Sequence, residues 1–399
     1  MDVSVSTRFE AQIEQAIQTA IGPREEFVAL HEPTFDGNEW DYVKECIDTG
    51  WVSPVGSYVD QFEEQIADFT GTEQAVAVNN GTAALEVGLR LVGVEEGDEV
   101  LVPALTFVAT ANAVSYLGAV PHFVDSEWHT LGMDPERMGN YLDDIAEVRS
   151  GECYNTETGR RIRAIVPMHT FGHPVDLDSL EEVCDQYHLE IVEDAAESLG
   201  SLYKEEHTGR HGRCSALSFN GNKTITTGGG GAIITDDQDL ADRARHLTKV
   251  AKEDHRWEYN HDTVGYNYRL PNINAALGCA QLEQLPSYLE NKRILASRYS
   301  EAFSTVQDVT FFEEPDFGRS NYWLNAILLA DDREDRRDDV LARLNDADLM
   351  TRPAWKPMHR LPMYRDCPRM EVSVAESIYR RLINIPSSVF LGEKTDVER

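Results

Sequence analysis

Lys223 lies between a strand-like run, Ala216 to Phe219, and four consecutive glycines, Gly228 to Gly231. The chain has 8 lysines against 28 arginines, so a lysine in this position is not there for solubility. A primary amine does what a guanidinium cannot: it forms an imine with an aldehyde cofactor. Twenty-nine residues upstream, Leu189 to Glu197 reads as a buried strand ending in acid, with Asp194 at its carboxyl end. Open α/β sheets bind their ligands at that end of their strands. An amine for the imine and a carboxylate for a ring nitrogen are the two polar requirements of pyridoxal phosphate. Taken singly, Asp194 also reads as a helix cap and Lys223 as a loop cation.

Two further segments fit the same chemistry. Ala75 to Asn80 is a short apolar strand, and Gly81, Thr82 and Ala83 open a stretch with apolar residues at helical spacing. Free N–H groups at a helix start bind phosphate, and glycine lets the backbone come close. Ser218, five residues before Lys223, can add a hydroxyl; ordinary capping is the plainer reading of the glycine–threonine pair. Phe107 follows the strand-like Asp98 to Pro103 and is placed to cover one face of a flat ring, with a core phenylalanine as the alternative.

With these elements assembled, the chain resembles a fold-type-I pyridoxal-phosphate aminotransferase of the DegT/StrS group, whose members aminate nucleotide-linked keto sugars. The resemblance runs from about Phe35 to Ser388. It is carried by Trp51 to Gly56, Asn80 to Leu85, Pro103 to Phe107, Glu193 to Glu197, the Lys223 segment and Gly265 to Leu270. It implies Lys223 as the Schiff-base lysine, Asp194 as the ring-nitrogen partner and Phe107 as the stacking ring. Gly81, Thr82, Ala83 and Ser218 would hold the phosphate, with Asn267 reaching it from the partner subunit of a homodimer. Many relatives have glutamine where this chain has Glu197, beside the cofactor's phenolic oxygen.

The Asn220 to Lys223 turn, the glycine quartet and Arg352 to Trp355 resemble the branch acting on UDP-linked 4-keto-6-deoxy-N-acetylhexosamines, on the way to bacillosamine- and legionaminic-type products. Trp51, Ser53, His169 and Asn222 are then expected on the substrate side. Arg352 is expected on the pyrophosphate, with Lys356 and His359 behind it, and surface ion pairing is the alternative for these three. Glutamate is the implied amino donor. Members with histidine in place of the lysine dehydrate the sugar, and Lys223 argues against that outcome.

The implied fold is α/β: a large domain, 35–265, with a mostly parallel seven-stranded sheet, and a smaller α+β domain, 266–399. Strand patterns at Ala119 to Asp125, Ile162 to Met168 and Gly231 to Thr235, alternating with helical ones, support the sheet. Asn274 to Leu285 reads as helix and Asn325 to Leu329 as a short strand. In the arm, 1–34, Phe9, Ile13, Ile17 and Ile21 recur every four residues, an amphipathic helix expected to dock on the subunit or its partner. Arg149 to Arg163 reads as an architectural hairpin.

Formal net charge is −34, spread along the chain. A distributed acidic excess with few lysines reads as adaptation to a high-salt cytoplasm, where screening removes self-repulsion, and predicts loss of structure at low salt. It also argues against nucleic-acid or acidic-membrane partners. No run is long enough to cross a membrane. The six cysteines show no CxxC spacing and are expected reduced. His169 and His173 follow a strand, bracketing Phe171 and Gly172, and read as active-site loop residues, not metal ligands. A dinucleotide-dependent dehydrogenase would need GxGxxG after a strand, which is missing. A non-catalytic cofactor-binding regulator would not need Lys223. A GDP- or TDP-linked keto sugar stays open as the substrate.

Overall fold

The computed structural model describes residues 3–22, 24 and 26–393. The expected amphipathic helix is α1 (Val3–Ile21), and its fully buried Ile13 and Ile17 join an apolar cluster with Leu295, Tyr299 and Leu344 of the same chain. Helices α2 (Glu39–Thr49) and α3 (Ser57–Thr70) each stop at a left-handed glycine, Gly50 and Gly71.

The body alternates strand and helix. In chain order it holds β1 (Gln74–Val78), α4 (Gly81–Leu91), β2 (Glu99–Pro103), α5 (Val108–Tyr116), β3 (Val120–Val124), α6 (Pro135–Ile145), β4 (Ala146–Arg149), β5 (Glu152–Asn155) and β6 (Arg161–Ile165). Then follow α7 (Leu177–Tyr187), β7 (Glu190–Asp194), the two-residue strands β8 (Leu202–Tyr203) and β9 (Glu206–His207), β10 (Cys214–Ser218), β11 (Gly231–Thr235) and α8 (Gln238–Thr248). The main sheet runs β1-β11-β10-β7-β6-β2-β3. Pairing from β10 to β3 is parallel, and β11 alone is antiparallel to both its neighbours. The sheet is therefore mostly parallel, and the carboxyl ends of β1, β7 and β10 lie along one edge. Its strands are near-continuous runs of buried residues, as expected where helices cover both faces.

Two expectations shift in detail. The strand expected over 162–168 ends at Ile165, just before Pro167, which has no N–H for the ladder. The expected hairpin begins earlier, with β4 and β5 joined through Ser150 and Gly151, both at positive φ, and β5 then pairing β6.

The remainder is built on α9 (Asn272–Phe303), which continues for 32 residues through Pro286. A proline removes one helical hydrogen bond, but a buried stripe of Leu285, Tyr288, Leu295, Tyr299 and Phe303 spans the break and keeps both halves aligned. Beyond it come β12 (Val309–Phe311), β13 (Gly318–Arg319), β14 (Asn325–Leu329), α10 (Arg337–Asp346), β15 (Arg352–Pro353), α11 (Ser373–Arg381) and β16 (Leu382–Ile385). Four of these strands form an antiparallel sheet, β12-β14-β16-β15. All six cysteines are free, and five of them are buried. Among the described residues no helix is long and apolar enough to cross a membrane.

Candidate active site

The end of β7 sets two adjacent carboxylates on opposite faces of the sheet, as strand geometry requires. Glu193 is fully buried and saturated. It accepts the N–H groups of Gly209, His211 and Gly212 at 2.8–2.9 Å and faces His169 Nε2 at 2.9 Å. Asp194 is nearly as buried but accepts only the Thr110 hydroxyl at 2.8 Å and the Ala196 N–H at 3.3 Å. Burial raises its pKa, against the pull of those bonds and of Lys223. It lines a cavity of about 210 Å³, together with Lys223, Glu197, Phe107 and Ser218.

Lys223 sits on the excursion between β10 and β11, in a turn closed by its N–H on the Asn220 carbonyl at 3.0 Å. Its Nζ lies 3.3 Å from Glu197 Oε1 and 3.7 Å from the centroid of the Trp323 ring. Glu197 also accepts the Phe171 N–H at 2.9 Å. Burial pushes its carboxyl up to about 7, against the nearby Lys223 charge. Phe171 holds that position at φ 56°, a strained value for a residue with a Cβ.

At the opposite end of the cavity, α4 begins at Gly81 behind Asn80, whose side chain accepts the Ala83 N–H at 2.8 Å. A Cβ on Gly81 would meet Ser218 Cβ at 3.0 Å, and one on Gly231 would meet the Asn80 carbonyl carbon at 2.6 Å. Glycines at both positions bring the helix start, Ser218 and the glycine run into one cradle. The Gly81 and Thr82 N–H groups and the hydroxyls of Thr82 and Ser218 are the donors left for an anion there. Phe107 is 50 % exposed, so it is not a core phenylalanine. It forms the cavity wall, backed edge-on by Trp355 at 6.5 Å, which in turn packs on Phe171 at 4.8 Å. An anion cradle, an aromatic wall, an unsaturated buried carboxylate and an amine around one cavity fit pyridoxal phosphate.

The model of the DegT/DnrJ/EryC1/StrS aminotransferase family matches residues 33–398. The chain belongs to this family. It is 38% identical over 363 residues to the GDP-perosamine synthase of Escherichia coli O157:H7, covering 90% of this chain and 93% of that one. The GDP-perosamine synthase of Caulobacter vibrioides is 36% identical, with 93% and 96% covered. Among solved structures, the aminotransferase TlmJ from Streptoalloteichus hindustanus superposes with TM-score 0.82 at 27% identity, covering 93% of this chain and 95% of its own. This protein is thus an aminotransferase acting on nucleotide-linked keto sugars, with pyridoxal phosphate as its cofactor.

Not every residue singled out in the sequence of this DegT/DnrJ/EryC1/StrS member reaches the cavity. Ala83 is buried, and its N–H is committed to Asn80, which leaves the anion to Gly81 and Thr82. His169 is fully buried: Nε2 faces Glu193, and Nδ1 accepts the Val175 N–H at 3.3 Å, so it orients β7 and has no free edge for substrate. His173 is boxed by Phe312 and Tyr322, and burial lowers its pKa to about 3. Asn222 is exposed and outside the lining, while Asn220 is inside it. Arg352 donates through Nη1 to Asn345 Oδ1 at 3.2 Å and to the Thr351 carbonyl at 2.9 Å. His359 is held by Glu376. Trp51, Ser53 and Asn267 are exposed and do not line their own chain's cavity. Asn272 fixes the first two, bonding the Trp51 carbonyl through its side chain and the Ser53 carbonyl through its backbone.

Sequence reasoning missed Thr110, although one helical turn after Phe107 was enough to place it near the same edge. It also missed Met168, which closes the strand pattern over 162–168, and Trp323, for which no local pattern exists.

Proposed function

We propose that this chain transfers an amino group from glutamate to the 4-keto carbon of a nucleotide-linked 4-keto-6-deoxy sugar. The observation that carries this reading is the meeting of Lys223, Asp194, Phe107 and the Gly81–Thr82–Ser218 cradle around one cavity. Bound there, pyridoxal phosphate supplies a ring that accepts electrons from the substrate carbon. Asp194 holds the ring nitrogen's proton: a buried carboxylate short of partners gains most from a cation beside it. The α4 start and the two hydroxyls anchor the phosphate against rotation, and Phe107 covers one ring face. Lys223 would hold the cofactor between turnovers. Once displaced by the incoming amine, it takes the proton from the donor's Cα, and it runs the same transfer in reverse for the sugar. Glu197, with its carboxyl near 7, is able to share a proton with a phenolic oxygen.

Two lines of support part at the nucleotide. The turn before Lys223 and the Arg352 to Trp355 segment favour a UDP-linked N-acetylhexosamine of the bacillosamine or legionaminic type. Likeness over nine-tenths of the chain to GDP-perosamine synthases favours a GDP-linked sugar. We rank the GDP-linked sugar first, because Arg352, a mainstay of the other reading, does not line the cavity and donates to Asn345 and the Thr351 carbonyl. The deciding experiment follows the cofactor's visible absorbance after glutamate and then each sugar nucleotide. Glutamate should bleach the band and the correct sugar should restore it. No band even with added cofactor would overturn the reading.

Asn267, exposed here, belongs in this proposal to the partner's phosphate site in a homodimer. The exposed Trp40, Trp51, Val55, Trp257, Tyr259 and Val264 are the apolar surface such a dimer would cover. A monomer fully active at dilution would refute it. The distributed acidic charge supports a high-salt cytoplasm, and equal melting temperatures in dilute buffer and molar KCl would reject that setting.

A further inference from the structure

Trp323 enters the site from the connection between β13 and β14, far in sequence from every cavity residue. Trp323 is 5 % exposed, and Lys223 Nζ lies 3.7 Å from the ring centroid. It is anchored on three sides. The indole N–H donates to the Asn222 carbonyl at 2.7 Å, the residue before the lysine. The backbone N–H donates to Asn321 Oδ1 at 2.8 Å, and the Asn321 amide donates to the carbonyls of Glu197 and Leu199, both at 2.9 Å. The Trp323 carbonyl accepts from Lys292, a fully buried lysine that also donates to the Ser387 carbonyl. The ring thus has one fixed pose, facing the amine, and Glu197 approaches the same Nζ at 3.3 Å.

An indole face attracts an ammonium through its quadrupole, most strongly where water is excluded. A lysine that alternates between covalent attachment and freedom needs a defined place for its free amine, because its stem is long and flexible. We propose that Trp323 is a positioning residue: its ring is the seat of the Lys223 amine whenever that amine is released, and its N–H holds the turn carrying the lysine. This rests on Lys223 being the group that moves the proton. With cofactor bound, the proton taken from the donor's Cα would rest on Nζ as an ammonium over the indole until Nζ hands it on, so none is gained or lost.

The test uses Trp323→Leu, which removes ring and N–H, and Trp323→Phe, which keeps a smaller ring face and loses the N–H. In cofactor-free protein at one fixed pH, acetylation of Lys223 is read by peptide mass spectrometry against the surface residue Lys204. Trp323→Leu should raise relative labelling several-fold and Trp323→Phe less. With cofactor, the glutamate half-reaction of Trp323→Leu should lose about tenfold in kcat with KM for glutamate unchanged. The isotope effect with α-deuterated glutamate should rise, since proton transfer becomes slower relative to the other steps; a loss of folded fraction alone would not move it. Unchanged labelling and an unchanged isotope effect in folded Trp323→Leu would overturn the seat. Borohydride reduction of the unmodified holoenzyme separates the two readings. Cofactor trapped on a peptide other than that of Lys223 would sink the role of the lysine itself.

Discussion

The two edges of the main sheet each bury a carboxylate, and they treat it in opposite ways. At the amino edge, Glu99 opens β2 with no exposed surface. It bonds Thr158 at 2.6 Å, His122 at 2.8 Å and Asn155 at 2.9 Å, with Arg160 at 3.8 Å. Burial alone would raise its pKa, but the bonds from His122, Thr158 and Asn155 outweigh it and hold the group below the usual range. At the carboxyl edge, Asp194 closes β7 with two protein partners, and burial wins, raising its pKa. A saturated carboxylate belongs to the fold. An unsaturated one beside a cavity is stored for a partner that is not protein.

The contrast breaks most sharply at the carboxyl edge. Lys223→Ala removes both the covalent anchor and the proton carrier, so single-turnover amination followed by absorbance should fall about 10⁴-fold, with the melting curve little changed. Asp194→Asn should cost about 10²- to 10³-fold in the same assay, the range for removing one preorganised charge from a reacting centre. It should also raise the melting temperature of the cofactor-free protein at neutral pH. The sign follows from linkage: a carboxyl whose folded pKa is raised gives most stability below the ordinary aspartate value of about 3.9, and loses it as pH rises through the folded value. A lower melting temperature for that variant would break the comparison.

Glu99→Gln should do the reverse. Activity per folded molecule stays, while stability drops by about 1.5–3 kcal/mol, the range for hydrogen bonds to a buried charge. Because the folded pKa of Glu99 is lowered, its contribution is present above about 4.3 and is lost as pH falls through its folded value. Urea unfolding at pH 7 and at pH 3 should therefore show a smaller deficit for the variant at the lower pH. The smallest effect belongs to Arg352→Ala. Its guanidinium is engaged with Asn345 and Thr351, so KM for the sugar nucleotide should stay within about twofold, as for surface changes away from a site. A tenfold rise would return Arg352 to the substrate.

That Lys223, Asp194, Phe107 and the Gly81–Thr82 helix start come to one cavity was legible in the sequence. Each lies at a strand end that apolar runs mark locally, and parallel strands bring such ends to one edge of a sheet. Ala83, His169, Asn222 and Arg352 do not line the cavity, and Ala83, His169 and Arg352 are already bonded within the fold. A motif tells which segment nears the site, but not which hydrogen bonds its side chains have already made.

The sequence by itself determined the alternation of strand and helix, the placing of an amine and an acid near one sheet edge, and the family, because these depend on residue type and short-range spacing. Only the tertiary structure decided that Glu193 is closed while its neighbour Asp194 is open, and that Trp323, a hundred residues beyond Lys223, lies under its amine. Such facts are long-range. Saturation and contact depend on which distant groups the packed chain delivers to an atom, and no local pattern records them.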